Sequence, residues 1–123
     1  MRALVIDDSK AMRTILGGML KGMGFEVAEA IHGREALERL QESGPADLAL
    51  VDWNMPEMNG FEFVQAVRAR TDYDAMRLMM VTTETEVTQV MRALEAGANE
   101  YVMKPFTKDA IREKLEIMGV ELP

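Results

Sequence analysis

Five polar side chains of this sequence combine the residue types that phosphoryl transfer requires. The pair Asp7-Asp8 follows a short apolar run, and so do Asp52, Thr82 and Lys104. A carboxylate can attack phosphorus and hold the phosphoryl group covalently, while an amine and a hydroxyl can position the phosphoryl oxygens and neutralise their charge. If the fold brings these residues together, Asp52 is predicted to be the nucleophile, with Thr82 and Lys104 beside it.

Three carboxylates gathered in one place would repel one another, so the same residues predict a bound cation. Such repulsion is relieved either by raised pKa values or by a positive ion. The chain has no Cys and one His, and carboxylate oxygens select hard divalent ions. Asp7, Asp8 and Asp52 are therefore expected to bind Mg2+, with Mn2+ able to substitute.

Short strands that would position these residues can be recognised from the hydrophobic pattern. Four apolar runs predict strands at residues 3–6, 48–51, 78–81 and 101–103. The first three runs are apolar throughout, which is typical of parallel strands covered by helices on both faces. A fifth run, residues 25–30, carries charges between its apolar positions and is expected to form an edge strand.

Five amphipathic helices are predicted between and after these strands, because apolar residues recur three and four positions apart. The third is predicted over residues 61–70, and residues 83–86 (TETE) read as a capping box for the fourth. The residues expected to end helices are Gly22, Gly24, Gly44, Pro45 and Gly97. The predicted apolar faces, in chain order, are Met12, Ile15, Leu16, Met19, Leu20 and Met23; Ala36, Leu37 and Leu40; Phe63, Val64 and Val67; Val87, Val90, Met91 and Leu94; and Ile111, Leu115 and Met118.

The alternation of strand and helix predicts an α/β fold, a doubly wound domain with a five-stranded parallel sheet. Right-handed crossovers bring the carboxyl ends of all strands to one edge of the sheet, where ligands of such folds bind. The polar residues named above all follow strands and would meet at that edge. The length of 123 residues suits one domain, so a single domain over residues 1–123 without an effector domain is expected.

Composition argues against several other kinds of protein. A formal net charge of -7, without clustered Lys and Arg, disfavours a nucleic-acid-binding surface. No apolar run approaches membrane-spanning length, and carboxylates at residues 7 and 8 argue against a secretory signal. The absence of Cys fits a reducing compartment. We therefore expect a cytoplasmic protein that does not insert into membranes. We also expect it to be a monomer.

Several motifs, taken in order, resemble those of response-regulator receiver domains, and the chemotaxis regulators in particular. The resemblance covers nearly the whole chain and implies a flavodoxin-like fold with the strand order 2-1-3-4-5. The matching segments are Asp7-Asp8, residues 51–60 (VDWNMPEMNG), Val81-Thr82, Ala96-Gly97-Ala98 and Lys104-Pro105-Phe106.

For the acidic residues, the resemblance implies a division of roles. Asp52 would be the phosphoacceptor, and Asp7 and Asp8 would hold Mg2+ together with Asp52. The backbone carbonyl of Asn54 would be a further metal ligand. Asn54 and Glu84 would also influence the lifetime of the phosphorylated form.

The remaining motif residues would contact the phosphoryl group or respond to it. The resemblance implies that Lys104 contacts the phosphoryl group, that the Lys104-Pro105 peptide bond is cis, and that Thr82 and Tyr101 form a switch pair. Thr83 stands where chemotaxis regulators often have the smaller Ala, and its larger side chain would restrict access to the phosphoryl group.

Partners are implied by the same resemblance. A sensor histidine kinase would supply the phosphoryl group, and small phosphodonors could replace it. The domain would not be an enzyme with a separate substrate, because it would catalyse only its own phosphorylation and dephosphorylation. Its output would be altered binding to an unknown downstream protein target.

Three other kinds of protein could share some of these residues. An aspartyl-phosphate phosphatase would use the same nucleophile, but it would normally have a second carboxylate two residues later, where this chain has Asn54. A flavodoxin-like cofactor binder is disfavoured because the acidic turn at Asp7-Asp8 would repel the FMN phosphate. A receiver that serves only as an unphosphorylated scaffold gains no support from a complete set of site residues.

Some conspicuous residues are interpreted as structural. His32 precedes Gly33 in a predicted turn and is expected to be a solvated loop residue. The 12 Met residues, Met12, Met19 and Met91 among them, are expected mostly to fill the core. Trp53 directly follows Asp52, so its side chain should point to the opposite side of the extended segment and could report on the site.

Overall fold

A computed structural model describes residues 1–83 and 87–123, in which five strands alternate with five helices. A short 3-10 helix at Thr71–Tyr73 lies between the third helix and the fourth strand and is additional to the predicted elements. The strands are β1 (Arg2–Ile6), β2 (Glu26–Ala30), β3 (Leu48–Asp52), β4 (Arg77–Thr82) and β5 (Glu100–Met103). The helices are α1 (Lys10–Gly22), α2 (Gly33–Ser43), α3 (Gly60–Arg68), α4 (Val87–Ala96) and α5 (Lys108–Ile117).

All five strands form one parallel sheet in the order β2-β1-β3-β4-β5. This arrangement confirms the predicted doubly wound α/β fold and its strand order. Strand β2 lies at an edge, and most of its residues are exposed, as its charged pattern predicts. Every residue of β3 is buried, as expected for a central strand with helices on both faces.

The core consists of two apolar layers, one on each face of the sheet. Alternation along β1 shows the division, because Leu4 and Ile6 belong to one layer and Ala3 and Val5 to the other. Helices α2, α3 and α4 cover the first layer, and α1 and α5 cover the second. With both faces covered, the loops at the carboxyl ends of the strands are the place where polar groups can gather.

Two residues assigned to apolar helix faces are not in the core. Ile15 of α1 is 49% exposed and Met91 of α4 is 62% exposed, whereas their neighbours Leu16 and Val90 are buried. Successive residues of a helix differ in direction by about 100°, so a residue at the margin of the buried face can point to solvent although its neighbour is buried. The buried faces of α1 and α4 are therefore narrower than the apolar faces predicted for them. The side chain of Val87, also assigned to this face, lies outside the described part of the chain.

Arg68, at the end of α3, joins several segments at the edge of the sheet where the strands begin. Its guanidinium donates to the carbonyl oxygens of Gly97 (2.9 Å), Tyr73 (3.0 Å) and Met76 (2.7 Å), and to the side-chain oxygen of Asn99 (3.0 Å). These acceptors precede β4 and β5. The network fixes the edge opposite to the one where the predicted site residues lie.

Across residues 1–83 and 87–123, no helix has both the length and the hydrophobicity needed to cross a lipid bilayer.

Candidate functional site

The ends of β1, β3, β4 and β5 bring the predicted polar residues to one edge of the sheet. Asp7 and Asp8 directly follow β1, Asp52 and Thr82 are the last residues of β3 and β4, and Lys104 directly follows β5. Asp7, Asp8 and Asp52 each offer a carboxylate oxygen within 4.8 Å of the others. Asp52 thus forms one acidic cluster with Asp7 and Asp8, which lie more than 40 positions earlier in the sequence.

Lys104 supplies the positive charge of this cluster. Its Nζ lies 3.3 Å from Oδ1 of Asp52 and 3.7 Å from Oδ2 of Asp7. The backbone of Lys104 is fixed beside β4, because its N–H donates to the carbonyl oxygen of Thr82 (2.7 Å). The Lys104-Pro105 peptide bond is cis. The amine therefore points between the two buried carboxylates.

Asp7 is fixed by its neighbours in α1 and β2. Its Oδ1 accepts a hydrogen bond from the Ser9 N–H (2.9 Å), and Ser9 in turn caps α1 by accepting from the Met12 N–H. The guanidinium of Arg13 donates to the Asp7 carbonyl oxygen (2.7 Å) and is held by Glu29 (3.0 Å). One carboxylate oxygen of Asp7 is thereby occupied, and the other faces the cluster.

The two buried carboxylates hold their protons more strongly than ordinary aspartates do. Burial, reinforced by the charge of Asp7 and only partly offset by Lys104, raises the pKa of Asp52 to about 6. Burial also raises the pKa of Asp7, against the hydrogen bond from Ser9 and the charge of Lys104. Removing carboxylates from water disfavours their charged form, and two of them close together add repulsion. The cluster is thus deficient in positive charge.

A divalent cation fits this donor set. Oδ2 of Asp7 is buried and has no hydrogen-bond donor among the described residues. The side chain of Asp8 is exposed, so the cluster opens to solvent on that side. Three carboxylates with oxygen-only donors match the preference of hard divalent ions, whose charge would offset the repulsion. The residues that would hold the ion are Asp7, Asp8 and Asp52.

The other predicted site residues lie around this cluster. Thr82 is fully buried, and its hydroxyl donates to the carbonyl oxygen of Thr83 (3.3 Å). Asn54 is exposed in the loop after β3. Tyr101 is partly buried in β5, where it pairs with Met80. Glu84 and most of the predicted capping box at residues 83–86 lie outside the described part of the chain.

The loop after Asp52 turns back tightly onto the strand that it leaves. The Gly60 N–H donates to the carbonyl oxygen of Trp53 (2.9 Å), and a Cβ at Gly60 would collide with the backbone carbonyl oxygen of Asp52. Asn59 begins α3 with a capping box, in which its side chain accepts from the Glu62 N–H. Trp53 packs in the core with its ring 6.1 Å from that of Phe61. The loop between Asp52 and α3 therefore begins and ends beside the last residues of β3, close to the acidic cluster.

The interpretation of His32 as a solvated loop residue is wrong. Its side chain is only 15% exposed, and it caps α2 because Nδ1 accepts a hydrogen bond from the Glu35 N–H (3.1 Å). Its Nε2 lies 3.2 Å from Oε2 of Glu57, in the loop after β3. The glutamate three residues after His32 is a capping-box spacing and could have indicated the cap. Local sequence carries no signal for the contact with Glu57.

Comparison with known proteins shows similarity along nearly the whole chain. Residues 3–116 match the family model described as response regulator receiver domain. The chain is 44% identical over 119 residues to chemotaxis protein CheY1 of Helicobacter pylori, covering 96% of both proteins. It is 47% identical over 117 residues to the chemotaxis protein CheY homolog of Campylobacter jejuni, covering 94% of this chain and 90% of that protein.

Solved structures agree with this similarity. Chemotaxis response regulator CheY4 of Vibrio cholerae superposes with a TM-score of 0.87 at 36% sequence identity, over 95% of this chain and 97% of that one. A response regulator receiver domain protein from Clostridium thermocellum superposes with a TM-score of 0.86 at 24% identity, a likeness of fold alone.

Proposed function

The chain belongs to the response regulator receiver domain family, and we propose that Asp52 is the residue on which it is phosphorylated. Membership makes the chain a phosphorylation-activated switch of two-component signalling. The observation that carries the assignment of Asp52 is its position at the end of the central strand, 3.3 Å from the Lys104 amine and within the acidic cluster.

The proposed reaction uses the Asp52 carboxylate as the nucleophile. One of its oxygens forms a bond to phosphorus while the bond from phosphorus to the imidazole nitrogen of a histidine kinase breaks, and the imidazole keeps the electron pair. Lys104 neutralises charge on the transferred group, and the Thr82 hydroxyl is proposed to donate to one of its oxygens. The decisive test is whether Asp52→Asn still incorporates phosphate from a small phosphodonor.

We propose Mg2+ as the metal, with Mn2+ able to replace it. Asp7, Asp8, Asp52 and the backbone carbonyl of Asn54 would hold it. A bound Mg2+ supplies the positive charge that lets an anionic phosphodonor approach three carboxylates. The support from this chain is the cluster of carboxylate oxygens and the buried Oδ2 of Asp7, which has no hydrogen-bond donor among the described residues.

Self-phosphorylation and self-dephosphorylation are the only reactions proposed for this chain. A phosphatase acting on other substrates would place a second carboxylate two residues after the nucleophile, and Asn54 stands there. Because the relatives named above are chemotaxis proteins, we propose that the output is altered binding to a protein target in a chemotactic pathway. The proposed setting is the cytoplasm, with a sensor histidine kinase as donor and the chain acting as a monomer.

Mg2+ is expected to change the fluorescence of Trp53, the only Trp of the chain, because this residue adjoins Asp52. Asp8→Ala removes one proposed ligand and should weaken Mg2+ binding by about tenfold or more, since each carboxylate is a large share of a small oxygen-ligand set. The measurement is a fluorescence titration of both proteins with MgCl2. An unchanged midpoint in Asp8→Ala would contradict the role of the acidic pair in metal binding.

A second prediction concerns how phosphorylation at Asp52 reaches a partner. We propose that the Thr82 hydroxyl turns toward the phosphoryl oxygens and that Tyr101 then rotates inward, which changes the surface formed by α4, β5 and α5. The Tyr101 ring lies 4.8 Å from Nζ of Lys114, which Glu100 holds at 3.2 Å. A conformational coupling of this type typically amounts to about 1 to 3 kcal/mol, or roughly 5- to 150-fold in affinity.

The two switch residues can be tested with a double-mutant cycle. Thr82→Ala should still accept phosphate but lose much of the gain in target affinity, and Tyr101→Ala should make little further difference in that background. Target affinity is measured with and without beryllofluoride, a mimic of the phosphoryl group. Strictly additive effects of the two substitutions would reject coupling while leaving the chemistry at Asp52 intact.

A further inference from the structure

A strained turn lies in the loop between Asp52 and α3. The Met58 N–H donates to the carbonyl oxygen of Pro56 (2.7 Å), and Glu57 between them has a φ of 64°. A three-residue turn with this hydrogen bond and a positive φ is the rare form of the γ-turn. Residues other than glycine resist this conformation, and it persists only where surrounding contacts enforce it. Some contact must therefore hold Glu57 in place.

Among residues 1–83 and 87–123, two groups that can carry or donate a proton lie close to the carboxylate of Glu57. Nε2 of His32 lies 3.2 Å from its Oε2, and Nε of Arg34 lies 3.7 Å from the same oxygen. The Arg34 side chain is 64% exposed, so its attraction is screened by water, whereas that of His32 is 15% exposed. His32 is thus the partner able to hold the turn.

The helix cap fixes which ring nitrogen of His32 carries the proton. Nδ1 accepts a hydrogen bond from the Glu35 N–H (3.1 Å), so it must be unprotonated, and the proton resides on Nε2. That nitrogen lies 3.2 Å from Oε2 of Glu57. A single imidazole caps α2 with one side and holds the loop after β3 with the other.

Close packing beside this contact brings the loop against the start of α2. The Gly33 N–H donates to the carbonyl oxygen of Met58 (3.3 Å), and a Cβ at Gly33 would lie 2.8 Å from Cγ of Met58. A side chain at residue 33 would therefore require Met58 to shift. The hydrogen bond and the His32–Glu57 contact together attach the turn at residues 56–58 to α2.

We propose that the His32–Glu57 pair is a clasp that positions Asn54 for metal binding. Asn54 lies between Asp52, which the sheet fixes, and the turn, which the clasp fixes, so the direction of its backbone carbonyl depends on both. His32 is a positioning residue in this proposal, because it touches neither metal nor phosphoryl group. The proposal rests on the proposed function, since Mg2+ is what the Asn54 carbonyl would bind.

The clasp can be separated from the helix cap by choice of substitution. His32→Asn retains an N-cap acceptor for the Glu35 N–H, but its side chain is too short to reach Glu57. Glu57→Gly removes the carboxylate and also relieves the strained φ, so a loss in this variant cannot be attributed to added strain. Arg34→Ala is the matched control, because it removes the other, exposed group near the same oxygen.

Two measurements report on the clasp. In the metal-free protein, amide hydrogen exchange at Gly33 and Met58 should accelerate in His32→Asn and Glu57→Gly but not in Arg34→Ala. In the presence of MgCl2, the midpoint of the Trp53 fluorescence titration should rise by about tenfold in the first two variants, the low end of the effect of groups that orient metal ligands. The double variant should bind Mg2+ no more weakly than the weaker single variant.

Different outcomes overturn different statements. Wild-type exchange and a wild-type Mg2+ midpoint in His32→Asn would overturn the clasp while leaving the role of Asp52 intact. Lower thermal stability of Glu57→Gly without any change in the Mg2+ midpoint would also overturn the clasp. The His32–Glu57 pair would then contribute to folding stability and not to metal binding. A wild-type protein that binds no Mg2+ would overturn the proposed metal site, and the exchange measurement would still decide whether the pair holds the loop.

Discussion

Asp52→Asn is expected to abolish phosphorylation, the largest effect predicted for any substitution in this chain. The Asn side chain has nearly the same shape but neither the negative charge nor the nucleophilic oxygen that forms an acyl phosphate. Wild-type protein incubated with Mg2+ and a small phosphodonor should gain the mass of one phosphoryl group. The variant should gain none under the same conditions.

A carboxylate at the opposite edge of the sheet provides the control for this experiment. Oδ2 of Asp47 accepts a hydrogen bond from the Arg2 N–H (2.8 Å), far from the acidic cluster. Asp47→Asn makes the same chemical change and should be phosphorylated as the wild type is. Full phosphorylation of Asp52→Asn would show that another residue is the nucleophile, and the proposed mechanism would be wrong.

The second large effect concerns the stability of the metal-free protein as a function of pH. The pKa of Asp52 is raised from 3.8 to about 6 in the folded state, so the folded protein binds more protons than the unfolded chain between these values. The contribution of Asp52 to stability is therefore full below the unfolded pKa and is lost as the pH rises through the folded one. The loss at neutral pH is on the order of 3 kcal/mol.

Asp52→Asn should remove this dependence, because the amide does not ionise. In metal-free buffer the variant should be more stable than wild type at pH 7 and similar to it near pH 4, as measured by urea unfolding at each pH. Mg2+ should stabilise the wild type at pH 7 far more than the variant. A stability difference that does not change with pH would contradict the raised pKa of Asp52.

The fold was largely predictable because its signals are local. Apolar runs such as Leu48–Val51 lie on a strand buried from both sides, and charges in Glu26–Ala30 mark the sheet edge. Alternation of strand and helix then restricts the topology, since crossovers between parallel strands are right-handed. The acidic cluster followed from the same rule, because residues directly after parallel strands share one edge of the sheet.

The features that sequence did not predict depend on contacts between distant residues. The His32–Glu57 contact joins residues of two different loops, and no periodicity relates them. The burial of Val90 beside exposed Met91 depends on the angle at which α4 lies against the sheet, which apolar spacing alone does not specify. The hydrogen bonds of Arg68 depend likewise on which carbonyl groups the loops before β4 and β5 present to it.

The close packing at Gly60 affects the interpretation of mutations that abolish the function of this protein. Any side chain there would displace the backbone of Asp52, although residue 60 takes no part in the proposed chemistry. Loss-of-function alleles at this position would therefore report on space rather than on reactivity. A mutational scan would find Gly60 as intolerant of substitution as Asp52. Only the structure shows that Asp52 is the proposed reacting residue and that Gly60 leaves space for its backbone.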